Sequence, residues 1–189
     1  LQDKTEQKIF KGAISVFKKK GLQATTQEVS KEAGVAEITL YRRYSTKENL
    51  FITVLKDVLE KKFHSHVLEM ANKETEIFFM RIIEDRLEIL SKNHKLVQML
   101  LSESLKGSLP KEINLPEIIF MSLKKGIEYH FKLKNQSVDT DFCARQLGGI
   151  FLSYVVLPNE QPFNKLTTQE KKETVRRYAK LVLAAMEEN

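Results

Sequence analysis

Apolar residues recur three and four positions apart along almost the whole of this chain, and that spacing removes most folds from consideration. In the first segment Ile9, Phe10, Ala13, Ile14 and Phe17 fall on one face of a helix. Lys18, Lys19 and Lys20 close it where positive charge suits a helix C-terminus, and Gly21 can take the left-handed stop position. No alternating apolar and polar run is long enough for a strand. With only 7 Gly and 4 Pro in 189 residues, little interrupts the helical pattern. The chain is therefore read as all-α, with nine helices.

The helix boundaries follow from local chemistry. Thr25 and Glu28 have the spacing of a capping box, so a second helix starts near 26, with Val29 and Ala33 facing inward. Gly34 ends it after about two turns. A third short helix covers about 37–43. Ser45 or Thr46 caps a fourth, whose stripe (Leu50, Phe51, Val54, Leu55, Val58, Leu59 and Phe63) runs on to about residue 71. Further amphipathic helices are expected near 75–92, 95–106, 115–134, 140–157 and 168–187. Turn-rich breaks at 106–116 and 157–168 separate them, and Thr167 and Glu170 repeat the capping-box spacing.

Composition narrows the function. The chain is 42% hydrophobic and 30% charged, a globular balance. No run of about 18 apolar residues occurs, so no membrane span is expected. The opening LQDKTEQKIF has no apolar signal-peptide core, and a cytoplasmic location is expected. The single cysteine, Cys143, excludes an internal disulfide. It lies in an apolar helix with no neighbouring His and reads as buried rather than nucleophilic. His64 and His66 are two apart and point about 200° from each other on a helix, so they cannot share a metal. His94 and His130 have no acid or cysteine at ligand spacing. No glycine-rich phosphate loop occurs. No metal, cofactor or enzymatic activity is expected. The net charge of +6 is unevenly placed: residues 1–56 hold eleven Lys/Arg against six Asp/Glu, and the remainder twenty against nineteen. A basic first third is an electrostatic footprint for an anionic partner.

Two short helices joined at the glycine after Ala33 make a helix-turn-helix. Val29, Ala33, Val35, Leu40 and Tyr44 can close a small core with Phe10, Ile14 and Phe17. Turning the third helix by about 100° per residue puts Leu40 and Tyr44 on one side. Ile38, Thr39, Arg42 and Arg43 fall on the other, with Glu37 and Tyr41 at the margins. That outward set suits the DNA major groove, where a thymine methyl offers an apolar contact and base edges offer hydrogen-bond groups. Glu37 could accept from a cytosine amine. Lys47 sits in the first turn of the next helix, against the macrodipole. It is either a solvated lysine carried at a few tenths of a kcal/mol or part of a phosphate site at that helix N-terminus.

The segment TTQEVSKEAGVAEITLYRRYSTKENLF (25–51) resembles the DNA-binding segment of the TetR family of bacterial repressors. The shared features are the Thr-Thr start, the A-G-V turn, the T-L-Y run and the aromatic-x-x-K-E-x-L-F that follows. The likeness covers about residues 5–55. Beyond 60 only the rhythm of helices and loops is similar. The resemblance implies a TetR-like fold: a helix-turn-helix domain over 1–46, then an effector-binding and dimerisation domain over 47–189 that starts with a long connecting helix. It implies a homodimer on a palindromic double-stranded DNA operator, released by a small-molecule effector whose identity the sequence does not give.

Family roles carry over to Thr26 and Gln27 near the backbone, to Glu37, Ile38 and Thr39 near base edges, and to Tyr41, Arg42, Arg43 and Lys47 at phosphates. There are departures. Ala36 stands where a capping Ser or Thr is usual, Gln27 where an arginine is common, and Glu37 is an acid facing a polyanion. The missing cap costs about 1 kcal/mol of local stability.

In the family the last two helices pair with their copies. The corresponding residues here are Phe142, Gly148, Phe151, Leu152, Val155, Tyr178, Leu181, Val182 and Ala185; Gly148, Gly149, Ala184 and Ala185 would permit close helix approach. Phe79, Ile83, Leu87, Met99, Phe120, Met121 and Tyr154 are candidate walls of an effector cavity, each with plain core as the alternative. Arg81, inside IFFMRII, either meets an anionic ligand or lays its stem on the surface. The rival to a DNA-binding regulator is an all-α adaptor whose helix-turn-helix is only a packing unit.

Overall fold

A computed structural model of the chain describes residues 3–57, 67, 69–111 and 113–187. Among these residues there are nine α-helices and no strand. They are α1 (Lys4–Lys20), α2 (Thr26–Ala33), α3 (Glu37–Tyr44), α4 (Lys47–Lys56), α5 (Thr75–Lys92), α6 (His94–Leu105), α7 (Leu115–Leu133), α8 (Thr140–Val156) and α9 (Thr168–Glu187). Short 3-10 turns occur at Gly21–Gln23 and Phe163–Lys165. Of the helical stripe expected to reach residue 71, Leu50, Phe51, Val54 and Leu55 lie in α4, while Val58, Leu59 and Phe63 fall outside the described residues, as do His64 and His66. No helix among the described residues is long and apolar enough to cross a membrane.

The chain divides into two compact units, Leu1–Leu59 with Lys95–Leu115, and Glu60–His94 with Pro116–Asn189. In the first unit α1 begins at Asp3, whose carboxylate accepts from the Glu6 amide at 2.7 Å. α1 lies against both α2 and α4. Covered from two sides, it buries Val16 as well as Ile9, Phe10, Ala13 and Phe17, while Ile14 is only half-buried. Gly12 is the point of closest approach: a Cβ built there would stand 2.8 Å from the Ala33 backbone nitrogen. Phe17 meets Phe51 of α4 edge-on, with ring centroids 5.0 Å apart. Met99 belongs to this unit and lies beside Gly21.

In the second unit α5 packs on α8 and α9. Phe78, Phe79, Ile83, Leu87, Ile127, Leu147 and Phe163 are wholly buried. Glu88 and Lys171 tie α5 to α9 at 3.0 Å, and Ser91 donates to Asn164 at 2.6 Å. Thr167 and Glu170 make the expected reciprocal cap at the start of α9. His130 of α7 is buried in this core. It lies flat on Phe78, centroids 3.9 Å apart, and contacts the Ala71 carbonyl through Nδ1 at 2.8 Å and the Thr75 hydroxyl through Nε2 at 3.1 Å.

Candidate nucleic-acid interface

The turn between α2 and α3 is set by a few local bonds. The Thr25 and Glu28 side chains complete the capping box that starts α2. Gly34 ends α2 at φ 64° and ψ 39°, the left-handed conformation that glycine takes without steric cost. Val35 then donates from its amide to the Ser30 carbonyl at 3.0 Å, and Thr39 to the Ala36 carbonyl at 2.9 Å. Ala36 supplies no side-chain cap to α3, as its identity requires. The acid in the first turn, Glu37, offsets part of that loss by complementing the helix dipole. Thr46, not Ser45, caps α4, accepting from the Asn49 amide at 3.0 Å.

α3 is fixed by its inner face. Leu40 and Tyr44 are buried in the first unit's core, as the helical rotation predicts. The Tyr44 hydroxyl is buried without a hydrogen-bond partner among the described residues, and burial raises its pKa above the ordinary tyrosine value. On the opposite face Ile38 is 73% exposed. Arg42 is exposed beyond it and Thr39 is half-buried. Arg42 has no partner among the described residues, so its guanidinium is available to an anion. Gln27 is exposed at the start of α2.

The remaining predicted contacts are already engaged inside the chain. Thr26 donates from Oγ1 to Oε1 of Glu37 at 2.7 Å and lies 3.0 Å from the Tyr41 hydroxyl. Arg43 pairs with Asp3, Nη2 to Oδ2, at 2.7 Å. The Glu6 amide first, and then Arg43, hold the Asp3 carboxyl below the usual carboxylate range. Lys47 donates from Nζ to the Leu22 carbonyl at 2.9 Å, closing the 3-10 turn rather than standing free.

Sequence reading missed Asp3, Gly12 and the Thr26 bridge. Asp3 had a readable signal, an acid three residues before Glu6 at the head of an apolar stripe, which is a helix-start pattern. The other two depend on contacts between helices.

In the second unit, Phe79, Ile83 and Leu87 are solid core, and Tyr154 packs with them while its hydroxyl accepts from the Phe163 amide. Phe120 is half-buried under the Arg145 guanidinium, 5.1 Å from its ring centroid, and Met121 is also half-buried. Met99 belongs to the first unit and the other six candidate walls to the second. A groove of about 690 Å³ does run along α5, lined by Met70, Lys73, Ile77, Arg81, Ile82 and Lys171 among others. Arg81 is exposed there and bonds Glu84 at 3.1 Å. Of the residues expected between copies, Phe151, Val155 and Val182 are instead buried in this chain's own core. Phe142, Leu152 and Leu181 face outward, together with Val156, while Gly148, Tyr178 and Ala185 are half-buried. Cys143 is buried, which raises the pKa of its thiol.

Residues 9–54 match the family model for bacterial regulatory proteins of the tetR family. No curated protein matches the chain. Among solved structures it is similar over nearly its whole length to the TetR family transcriptional regulator PfmR from Thermus thermophilus, with 18% identity, a TM-score of 0.65, and 97% of each chain covered. A transcriptional regulator from Aquifex aeolicus is 22% identical with a TM-score of 0.66, over 94% of this chain and 99% of that one. The fatty acid degradation regulator FadR from Bacillus halodurans is 16% identical with a TM-score of 0.64, over 97% and 96%. Residues 9–54 are thus a TetR-family N-terminal domain, and the rest of the chain has the fold that follows it in such regulators.

Proposed function

We propose that this TetR-family transcriptional regulator is a repressor that grips a palindromic operator as a homodimer and releases it when a small molecule binds the second unit. The observation that carries the reading is Ile38, left exposed on the face of α3 opposite its core contacts, beside Arg42, which has no partner among the described residues. A lone exposed isoleucine is common on protein surfaces; this one stands beside Arg42 on the outward face of α3, the second helix of a helix-turn-helix. A major groove supplies both a methyl for the isoleucine and phosphates for the arginine.

The exposed apolar set on α8 and α9 supports the homodimer. Phe142, Leu152 and Val156 recur on one side of α8, and Leu181 of α9 is also uncovered. A two-fold protein matches two-fold half-sites. For the effector, we place the seat in the groove along α5, because Phe79, Ile83 and Leu87 are wholly buried. Its volume is in the range of small-molecule sites, and it combines Met70, Ile77 and Ile82 with Lys73, Arg81 and Lys171 and with the carboxylates of Glu69, Glu84, Asp85 and Glu88. Binding to chromosomal DNA puts the working protein in the cytoplasm.

The test is selection of bound duplexes from fragmented source DNA, followed by a reporter carrying the selected sequence. The reading predicts an enriched inverted repeat with half-sites about 10 bp apart or a multiple of it, and reporter output that falls when the protein is present. Binding with no preference over random duplex would favour the adaptor instead.

A further inference from the structure

We infer that Glu37 reads a base, selecting a cytosine amine in the major groove, and that Thr26 and Tyr41 are positioning residues that hold it. The inference rests on the reading that α3 enters that groove. It starts from the direction of two hydrogen bonds. Thr26 Oγ1 lies 2.7 Å from Glu37 Oε1 and 3.0 Å from the Tyr41 hydroxyl. An ionised carboxylate only accepts, and a threonine hydroxyl has one hydrogen to give. That hydrogen goes to Glu37, so the Tyr41 hydroxyl must donate to Thr26. The relay runs Tyr41 to Thr26 to Glu37, across the gap between α2 and α3.

Two consequences follow. First, the Tyr41 proton is turned inward, so its oxygen presents only lone pairs outward. A phosphate also presents only acceptors and would have to break the relay to hold this tyrosine. Second, Glu37 is fixed by one oxygen, and its other oxygen has no partner among the described residues. The rim beside Ile38 is therefore a cluster of acceptors in a fixed place. Of the base edges in the major groove, cytosine offers an amine donor and no acceptor of its own. Adenine pairs its amine with the N7 acceptor, and guanine and thymine oppose the carboxylate with acceptors. An acid facing a polyanion weakens binding in general, so its value lies in rejecting wrong bases.

The test begins with the wild-type protein and a random duplex pool. Wild type, Glu37→Gln, Thr26→Val, Thr26→Ser and Tyr41→Phe are then titrated against the selected duplex and against versions with each base pair replaced. Glu37→Gln should cut the preference for C·G at one position of each half-site by roughly tenfold. Thr26→Val and Tyr41→Phe should erode the same position and leave the others intact, and Thr26→Ser should restore it. The inference is overturned if Glu37→Gln changes no preference. It is equally overturned if Thr26→Val and Tyr41→Phe weaken all duplexes alike with the C·G preference intact, the signature of backbone contacts. Should Thr26→Val fail to fold, Tyr41→Phe and Glu37→Gln decide, because neither side chain is in the core. A wild type that enriches no sequence removes the DNA reading itself, whereas enrichment without these losses removes only the relay.

Discussion

Ile38 and Arg43 divide what local spacing can and cannot reveal. The outward direction of Ile38 follows from its rotation relative to Leu40, so the amino-acid order alone makes it legible. The same rotation turns Arg43 outward, yet Arg43 is paired with Asp3, a residue 40 positions earlier. Thr26 meets Glu37 and Tyr41 across 11 and 15 positions, and Lys47 meets the Leu22 carbonyl across 25. No periodicity within one helix encodes such pairs. The Asp3 pair also makes a prediction. Asn caps a helix about as well as Asp, so Asp3→Asn keeps the start of α1 and removes only the charge. Arg43 is then released toward phosphates. Affinity for any duplex should rise, and the salt dependence should steepen by up to about one counterion, measured by anisotropy at several salt concentrations.

Among the elements, helix identity was readable and helix contact was not. α5 to α9 begin and end within a residue or so of the ranges that apolar spacing and capping residues give. Gly12 shows the gap. Inside a helix, Gly→Ala normally stabilises by about 0.5–1 kcal/mol. At Gly12 the new Cβ would stand 2.8 Å from the Ala33 nitrogen and 2.9 Å from its Cα, and a backbone cannot move aside as a flexible side chain can. Overpacking of this kind costs about 1–3 kcal/mol. Gly12→Ala should therefore lower stability by about 1 kcal/mol or more in a urea melt, and weaken duplex binding because α2 is pushed off α1. A rise in stability would show that the two helices are not held that close.

His130 gives the second prediction at this scale. The Ala71 carbonyl can only accept, so Nδ1 carries the proton and the neutral ring is satisfied by accepting from Thr75 through Nε2. Burial is the main cause that pushes its pKa below the ordinary histidine value. The unfolded chain then binds a proton that the folded chain refuses. Stability should be level above about pH 6.5 and fall as the pH drops through the unfolded value, becoming level again only below the folded one. In His130→Gln that part of the pH dependence should vanish. Melting curves between pH 8 and pH 5 check both.

For the whole molecule, the resemblance of residues 25–51 to the TetR family pointed to a two-part regulator, but not to which apolar residues the chain spends on itself. Phe151, Val155 and Val182 look the same in sequence as Leu152 and Leu181, and packing sorts them. Leu152 is 50% exposed and Leu181 65%, so charging them costs the protomer little. The double change Leu152→Glu and Leu181→Glu should leave the melting curve nearly unchanged. Sedimentation velocity should show a dimer for the wild type and a monomer for the double variant, and operator affinity should drop toward that of a half-site.

The most direct check on the account is a salt titration of duplex binding by wild type, Arg42→Ala and Ile38→Ala, each on the selected operator and on a scrambled duplex. Arg42→Ala should weaken both duplexes and reduce the slope of log K against log salt by about one. Ile38→Ala should lose roughly 1–3 kcal/mol on the operator, little on the scrambled duplex, and keep the wild-type slope. If Ile38→Ala bound both duplexes as the wild type does, the outward face of α3 would not be the surface that reads DNA.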